Sequence, residues 1–209
     1  MAAFRVEFPK YEIMQRVPDS GLGGMSAGAA PSMVLETDRL RLRGWRDEDV
    51  PQWVAMGADA RVMRFFPSTY ETDHAVQMAA TLRDRLERDG YGWWVLEAKG
   101  VASFAGVICL QAVPFEAPFT PAFEIGWRLQ PEHWGHRYAT EGAALAARFA
   151  FEVLKLAEIV AMTAAQNVPS RRVMERLGMT HDPRGDFDHP RLAEGHPLRR
   201  HVLYRLSAP

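Results

Sequence analysis

The apolar residues of this chain change period from block to block. Between Arg39 and Trp45 they alternate, with Leu40 and Leu42 on one side, which predicts a half-buried strand. Asp47 then reads as the cap of a helix carrying Val50, Trp53, Val54 and Met56, with Pro51 tolerated near its start. A loop with Phe65, Phe66, Pro67 and Tyr70 follows. Thr72 or Asp73 can cap a second helix, in which Ala75, Met78, Ala79, Leu82 and Leu86 recur at helical spacing until Asp89-Gly90 ends it. Strand-like stretches come next at Gly92 to Ala98, Phe104 to Val113 and Ala122 to Leu129. A long helical pattern runs from about Arg137 to Leu154. A strand at Ile159 to Ala165, a helix from Val168 to Leu177, and strand pieces near Thr180 and at His201 to Leu206 close the chain.

This order, βααβββ then αβαββ, places hairpins in the middle and crossovers later. It predicts an α/β fold on a mixed sheet. Residues 1–32 stand apart: Val17 to Ser32 is rich in Gly, Ala, Ser and Pro without a period, and reads as a flexible N-terminal tail. Within it, Phe4 to Phe8 alternates and could form a short strand. Met33 to Leu40 reads as the opening of the domain that fills residues 33–209, with Met25 or Met33 as alternative starts.

Composition narrows the field. A formal net charge of -1 among 209 residues gives no support to nucleic-acid binding. From Arg171 onward eight arginines stand against five acids, enough to help hold an anion, though on charge alone a solvated helix face accounts for it better. The lone Cys109 permits no internal disulfide and fits a reducing compartment. No apolar run approaches a membrane span, and no signal-peptide core is present, so the expected location is the cytoplasm. The histidines lack metal-ligand spacing, and no metal is expected.

The chemistry concentrates after the strand ending at Leu129. Trp134-Gly135-His136-Arg137-Tyr138-Ala139-Thr140 is a short turn entering a helix, where unpaired backbone N–H groups and the helix dipole favour an anion, commonly a phosphate. On the preceding strand, alternation puts Phe123, Ile125, Trp127 and Leu129 on one face, and Glu124, Gly126 and Arg128 on the other. Glu124 is then a candidate base, or a carboxylate paired with Arg128 or facing solvent.

Three segments together resemble the GNAT N-acetyltransferases: Phe123-Glu124-Ile125-Gly126-Trp127, Trp134 to Glu141, and Asn167-Val168-Pro169-Ser170 with Val173 to Met179. The opening Leu35 to Arg43 is similar to the RimJ/RimL-like branch, which acetylates N-termini of ribosomal proteins. The resemblance spans about residues 33 to 207. It implies a mixed, mostly antiparallel central sheet flanked by helices with splayed central strands, acetyl-CoA as donor, and a primary amine on a small molecule or a protein N-terminus as acceptor. A homodimer through the tail is left open.

The resemblance also assigns residues. Glu124 deprotonates the amine through a water, and Ser170 serves the leaving sulfur unless it only satisfies backbone donors of its helix. Trp127, Arg128 and Leu129 line the pantetheine arm, and backbone N–H groups there polarise the carbonyl. Trp134, Gly135, His136, Arg137, Tyr138, Ala139 and Thr140 hold the pyrophosphate, with Tyr138 also readable as packing against the sheet. Asn167 caps its helix or reaches the pantetheine amides, and Arg171 joins it in binding the cofactor. Phe65, Phe66, Tyr70 and Trp93 line an acceptor mouth or the core, and Asp186 and Asp188 hold a cationic amine. One departure stands out. Arg137 occupies the position where the family places a central Gly, so the expected site requires a helical backbone there with the side chain turned outward, onto a CoA phosphate or into water; impaired CoA binding is the third reading. The rival reading is a non-catalytic acyl-CoA-binding module. A nucleotide-triphosphate enzyme is disfavoured because no Gly-Lys-Ser/Thr follows the turn.

Overall fold

The computed structural model describes residues 34–209 and the backbone pairing of residues 13–14. The proposed strand at Phe4 to Phe8 and the linker at Val17 to Ser32 lie outside the described residues. In chain order the elements are β1 (Ile13–Met14), β2 (Val34–Glu36), β3 (Leu40–Arg43), α1 (Asp49–Ala58), α2 (Thr72–Asp89), β4 (Trp93–Ala98), β5 (Ala102–Ala112), β6 (Phe123–Leu129), α3 (Tyr138–Glu152), β7 (Glu158–Ala164), α4 (Val168–Arg176), β8 (Thr180–His181), β9 (Phe187–Asp188) and β10 (Arg200–Ser207). Short 3-10 turns lie at Met63–Phe65 and Pro131–His133.

These strands form one sheet in the order β1-β2-β3-β4-β5-β6-β7-β10-β8, with β9 also on β10. Every described pairing is antiparallel except β6 with β7, which is parallel and meets only at Glu124↔Val160. Beyond that point the two central strands part, as the expected splay requires.

The register sorts the two faces. Ile108 pairs with Trp127 and Leu110 with Ile125 on the face that α3 covers. Buried Ala143, Ala144, Ala146, Ala147 and Ala150 leave α3 little side chain to hold it off the sheet. Phe149 of α3 meets Trp94 edge-on at 5.6 Å. The opposite face carries Cys109, Gln111, Glu124, Gly126 and Arg128, and α1 and α2 pack there on β5 and β4. Trp53 of α1, fully buried, stands edge-on to Trp45 at 5.7 Å and Trp93 at 6.3 Å. Its indole N–H donates to the Ala75 carbonyl of α2 at 3.0 Å.

Two helix starts differ from expectation. Asp47 does not cap α1, whose preceding residue Glu48 makes no side-chain cap. The acid that matters is Asp49, because the buried Arg43 guanidinium needs a counter-charge: Nη1 donates to Asp49 Oδ2 at 2.7 Å and Nη2 to Oδ1 at 2.9 Å. Asp49 Oδ2 also accepts the Arg46 N–H at 2.7 Å. Neither Thr72 nor Asp73 caps α2, which starts after an extended Glu71 with no side-chain cap. Its far end follows the sequence, with Gly90 left-handed at φ 75° and donating its N–H to Leu86. The segment read only as a polar loop contributes β9, and β2 was not expected as a strand.

Candidate active site

The turn before α3 presents a row of free donors. Glu141 is the first helical residue whose N–H finds the preceding turn, donating to Arg137 O at 3.0 Å. Among the described residues, the N–H groups of Gly135, His136, Arg137, Tyr138, Ala139 and Thr140 have no protein acceptor. The Thr140 hydroxyl is buried and likewise without a partner. Consecutive free donors at a helix N-terminus, with a hydroxyl among them, suit a phosphate.

Arg137 departs from expectation. Its backbone is left-handed, at φ 64° and ψ 13°, rather than helical. The chain therefore makes the turn a glycine would make, and the arginine takes the strain of about 1 kcal/mol. The side chain is exposed, as foreseen, and among the described residues it makes no hydrogen bond or ion pair. Gly135, also at positive φ, turns the chain two residues earlier. Trp134 is 48% exposed and donates its indole N–H to the Leu129 carbonyl at 2.9 Å, tying the turn to the end of β6. Tyr138 is buried, stacked on His136 at 5.4 Å and under the Arg39 guanidinium, so its ring packs as one of the two readings required.

Backbone donors also face the gap between β6 and β7. Gln130 donates its N–H to Ala105 at 3.0 Å, toward the β5 side. Alternation along the strand turns the N–H groups of Leu129 and Trp127 the other way, toward the opening past Glu124↔Val160.

Glu124 is half-buried on the face opposite α3. It is not paired with Arg128. Its Oε1 accepts from Gln111 Nε2 at 2.6 Å, and Gln111 Oε1 accepts from Trp93 Nε1 at 2.9 Å. Burial pushes the carboxyl above its usual range, while the Gln111 hydrogen bond and the Arg191 charge hold it partly back. Beside it, Gly126 stands opposite Cys109, where a Cβ would come within 2.9 Å of the thiol sulfur. Burial pushes that thiol well above its ordinary range, as expected of an inert core cysteine.

Asn167 caps α4, its Oδ1 accepting the Ser170 N–H at 3.3 Å. Its Nδ2 donates to Thr163 Oγ1 at 2.8 Å and Ser170 Oγ at 3.0 Å. The Ser170 oxygen is thus an acceptor toward Asn167, which leaves its proton to donate elsewhere.

Three of the assigned side chains are already engaged within the fold. Arg171 is engaged in the fold, with Nε toward the Tyr204 hydroxyl at 3.3 Å and Nη1 toward Ala165 O at 3.2 Å. Asp186 Oδ1 is bound by His181 Nε2 at 2.9 Å and by the Leu203 N–H at 3.0 Å, so it holds β8 and β10. Asp188 stands between Arg199 and Arg200, at 3.5 Å and 3.6 Å, and so already faces two cations. Of the four aromatics, Trp93 reaches Glu124 through Gln111, while Phe66 and Tyr70 surround Arg128. Phe65 faces Arg64 instead.

Gln111 was missed. Its signal was faint: a polar residue ending the apolar run Val107-Ile108-Cys109-Leu110, which takes meaning only when the register sets it opposite Glu124. Among the described residues no cluster of His, Cys, Asp or Glu could hold a metal ion, and no helix is long and apolar enough to cross a membrane.

Comparison with known proteins agrees with this layout. Residues 39–180 match the acetyltransferase (GNAT) domain. The chain is 36% identical over 164 residues to the FsC-acetyl coenzyme A-N(2)-transacetylase of Aspergillus fumigatus, covering 75% of this chain and 68% of that protein. An acetyltransferase structure from Agrobacterium tumefaciens is similar at TM-score 0.65 and 26% identity, over 90% of this chain and all of that one. The fold is also that of Mycobacterium smegmatis RimJ in complex with CoA-disulfide, at TM-score 0.64 and 22% identity, over 81% and 82% of the two chains. The chain belongs to the GNAT family and is an acetyl-CoA-dependent N-acetyltransferase.

Proposed function

We propose that this enzyme transfers acetyl directly to a primary amine within a ternary complex, as a member of the RimJ/RimL-like branch. The observation that carries the reading is Glu124. It is a half-buried carboxyl with a raised pKa, oriented by Gln111, on the strand whose far end opens into the free-donor turn. Bound acetyl-CoA supplies a thioester carbonyl open to attack by an amine. The N–H groups from Gly135 to Thr140 and the Thr140 hydroxyl hold its pyrophosphate. The Trp127 and Leu129 N–H groups face the gap where negative charge on the carbonyl oxygen would be stabilised.

Glu124 takes the proton of the ammonium acceptor, directly or through a water, because a carboxylate raised toward neutrality is a competent base there. Ser170, oriented by Asn167, gives a hydrogen bond to the departing sulfur. The thiol of Cys109 is buried and protonated, which supports direct attack over an acyl-cysteine route. Residues 33–209 form the acetyltransferase domain, and Ile13–Met14 of the preceding segment adds a strand to the edge of its sheet. The left-handed Arg137 supports an ordinary cofactor turn over a damaged one, and so the enzyme over the non-catalytic module.

Calorimetry with acetyl-CoA followed by thiol release over a panel of primary amines tests the proposal. Binding with release on at least one amine is the expected result. Binding without release on any amine would favour the module.

A further inference from the structure

Arg128 is the least satisfied charge in the described structure. It is 7% exposed, yet among the described residues it has no carboxylate partner, and its Nε and Nη1 are buried without any hydrogen bond. Only Nη2 is bonded, to the Tyr70 hydroxyl at 3.2 Å. The guanidinium lies 4.1 Å from the Phe66 ring centroid and 5.2 Å from those of Trp53 and Tyr70. An aromatic cage attracts a cation but supplies no acceptor to its N–H groups, and a buried charge left this way is costly. A carboxylate can take Nε or Nη1 together with the second proton of Nη2, the two edges of a guanidinium that match two carboxylate oxygens.

Arg128 shares its sheet face with Glu124, and Gly126 lies between them without a side chain. Four residues along a strand span about 13 Å, so both groups can reach one small acceptor. The cage also has one weak wall. Trp53 is fixed to Ala75 through its indole, and Tyr70 by its own N–H to Gly57 O at 2.9 Å and by a ring packed on Gly57. Phe66 is tied through its backbone, N–H to Met63 O at 2.8 Å, but it belongs to a segment whose neighbours Arg64 and Pro67–Thr69 are exposed.

We infer that Arg128 is the anion-recognition residue of the acceptor site, that the acceptor carries a carboxylate besides its primary amine, and that the carboxylate enters by displacing Phe66. This deepens the proposed function and rests on it. Polycationic amines are then poor acceptors, consistent with the engagement of Asp186 and Asp188 elsewhere.

The test uses the full chain and pairs of ω-amino acids and dipeptides, each carboxylate matched with its carboxamide. The free acid of a pair should exceed its amide in kcat/KM by about tenfold to a hundredfold, the worth of a charge-assisted hydrogen bond. That ratio should fall to near one in Arg128→Gln and stay intermediate in Arg128→Lys. Equal rates on acid and amide in the wild type would overturn the inference while leaving the proposed function intact. So would an Arg128→Gln protein that lowers both members of each pair alike, the mark of a structural cation. If no amine turns over, the proposed function fails, and thermal stabilisation by amine-free butyrate and glutarate decides the anion site separately. Stabilisation lost in Arg128→Gln upholds it, and its absence in the wild type overturns it.

Discussion

At the scale of single residues, Arg137 and Glu124 carry opposite lessons. Arg137 sits where the backbone wants glycine, and the strain is in the main chain, not in the charge. Arg137→Gly should stabilise the fold by about 1 kcal/mol in denaturant unfolding, whereas Arg137→Ala should not, since alanine keeps the Cβ that makes the conformation costly. Comparing acetyl-CoA affinity in the two variants at rising salt separates loss of charge from relief of strain. Glu124 predicts a pH profile. Its raised pKa means activity falls as pH drops through that value, and Glu124→Gln should remove this limb and lower kcat/KM about 10²- to 10⁴-fold. Gln111 acts only through Glu124. Because its hydrogen bond holds the pKa down, Gln111→Leu should move the acid limb to higher pH, a shift that a purely structural loss would not produce.

At the scale of elements, the strand and helix pattern was largely legible. Alternation in Phe123 to Leu129 gave the correct faces of β6, and the long apolar run after Arg137 gave α3. What stayed hidden depends on partners from other elements. The start of α1 is set by Asp49 answering a buried Arg43 from another element, so local capping preference pointed to the wrong acid. The partners of Arg171, Asp186 and Asp188 within the fold (Tyr204, His181, and Arg199 with Arg200) lie on or beside strands that pair only in the folded sheet. The α4 start shows the reverse case, where the capping residue was readable from Asn167-x-x-Ser170 itself. Asn167→Ala should cost about 1 kcal/mol of stability and also lower kcat, because the same side chain orients Ser170. Ser170→Ala should lower kcat while leaving acetyl-CoA affinity close to wild type, as isothermal titration would show.

At the scale of the whole molecule, the loops that flank the site are joined by an aromatic cluster. Phe115 meets His189 at 4.8 Å, and His189 meets His201 at 4.8 Å. Burial, with the neighbouring His201 and Arg191, depresses His189 from 6.5 to about 4. The unfolded chain therefore binds a proton below about pH 6.5 that the folded chain refuses until about pH 4, and stability should fall as pH drops through that window. Thermal unfolding of His189→Phe should show a shallower decline there than the wild type. The fold as a whole then serves one arrangement: a parted pair of central strands, a donor turn at one end, and a raised carboxylate where the strands part. Initial rates with acetyl-CoA and an amine varied together test this most directly. Double-reciprocal lines that intersect are the predicted result, since both substrates must be present before Glu124 acts. Parallel lines, with acetyl retained on the protein after free CoA is removed, would contradict it.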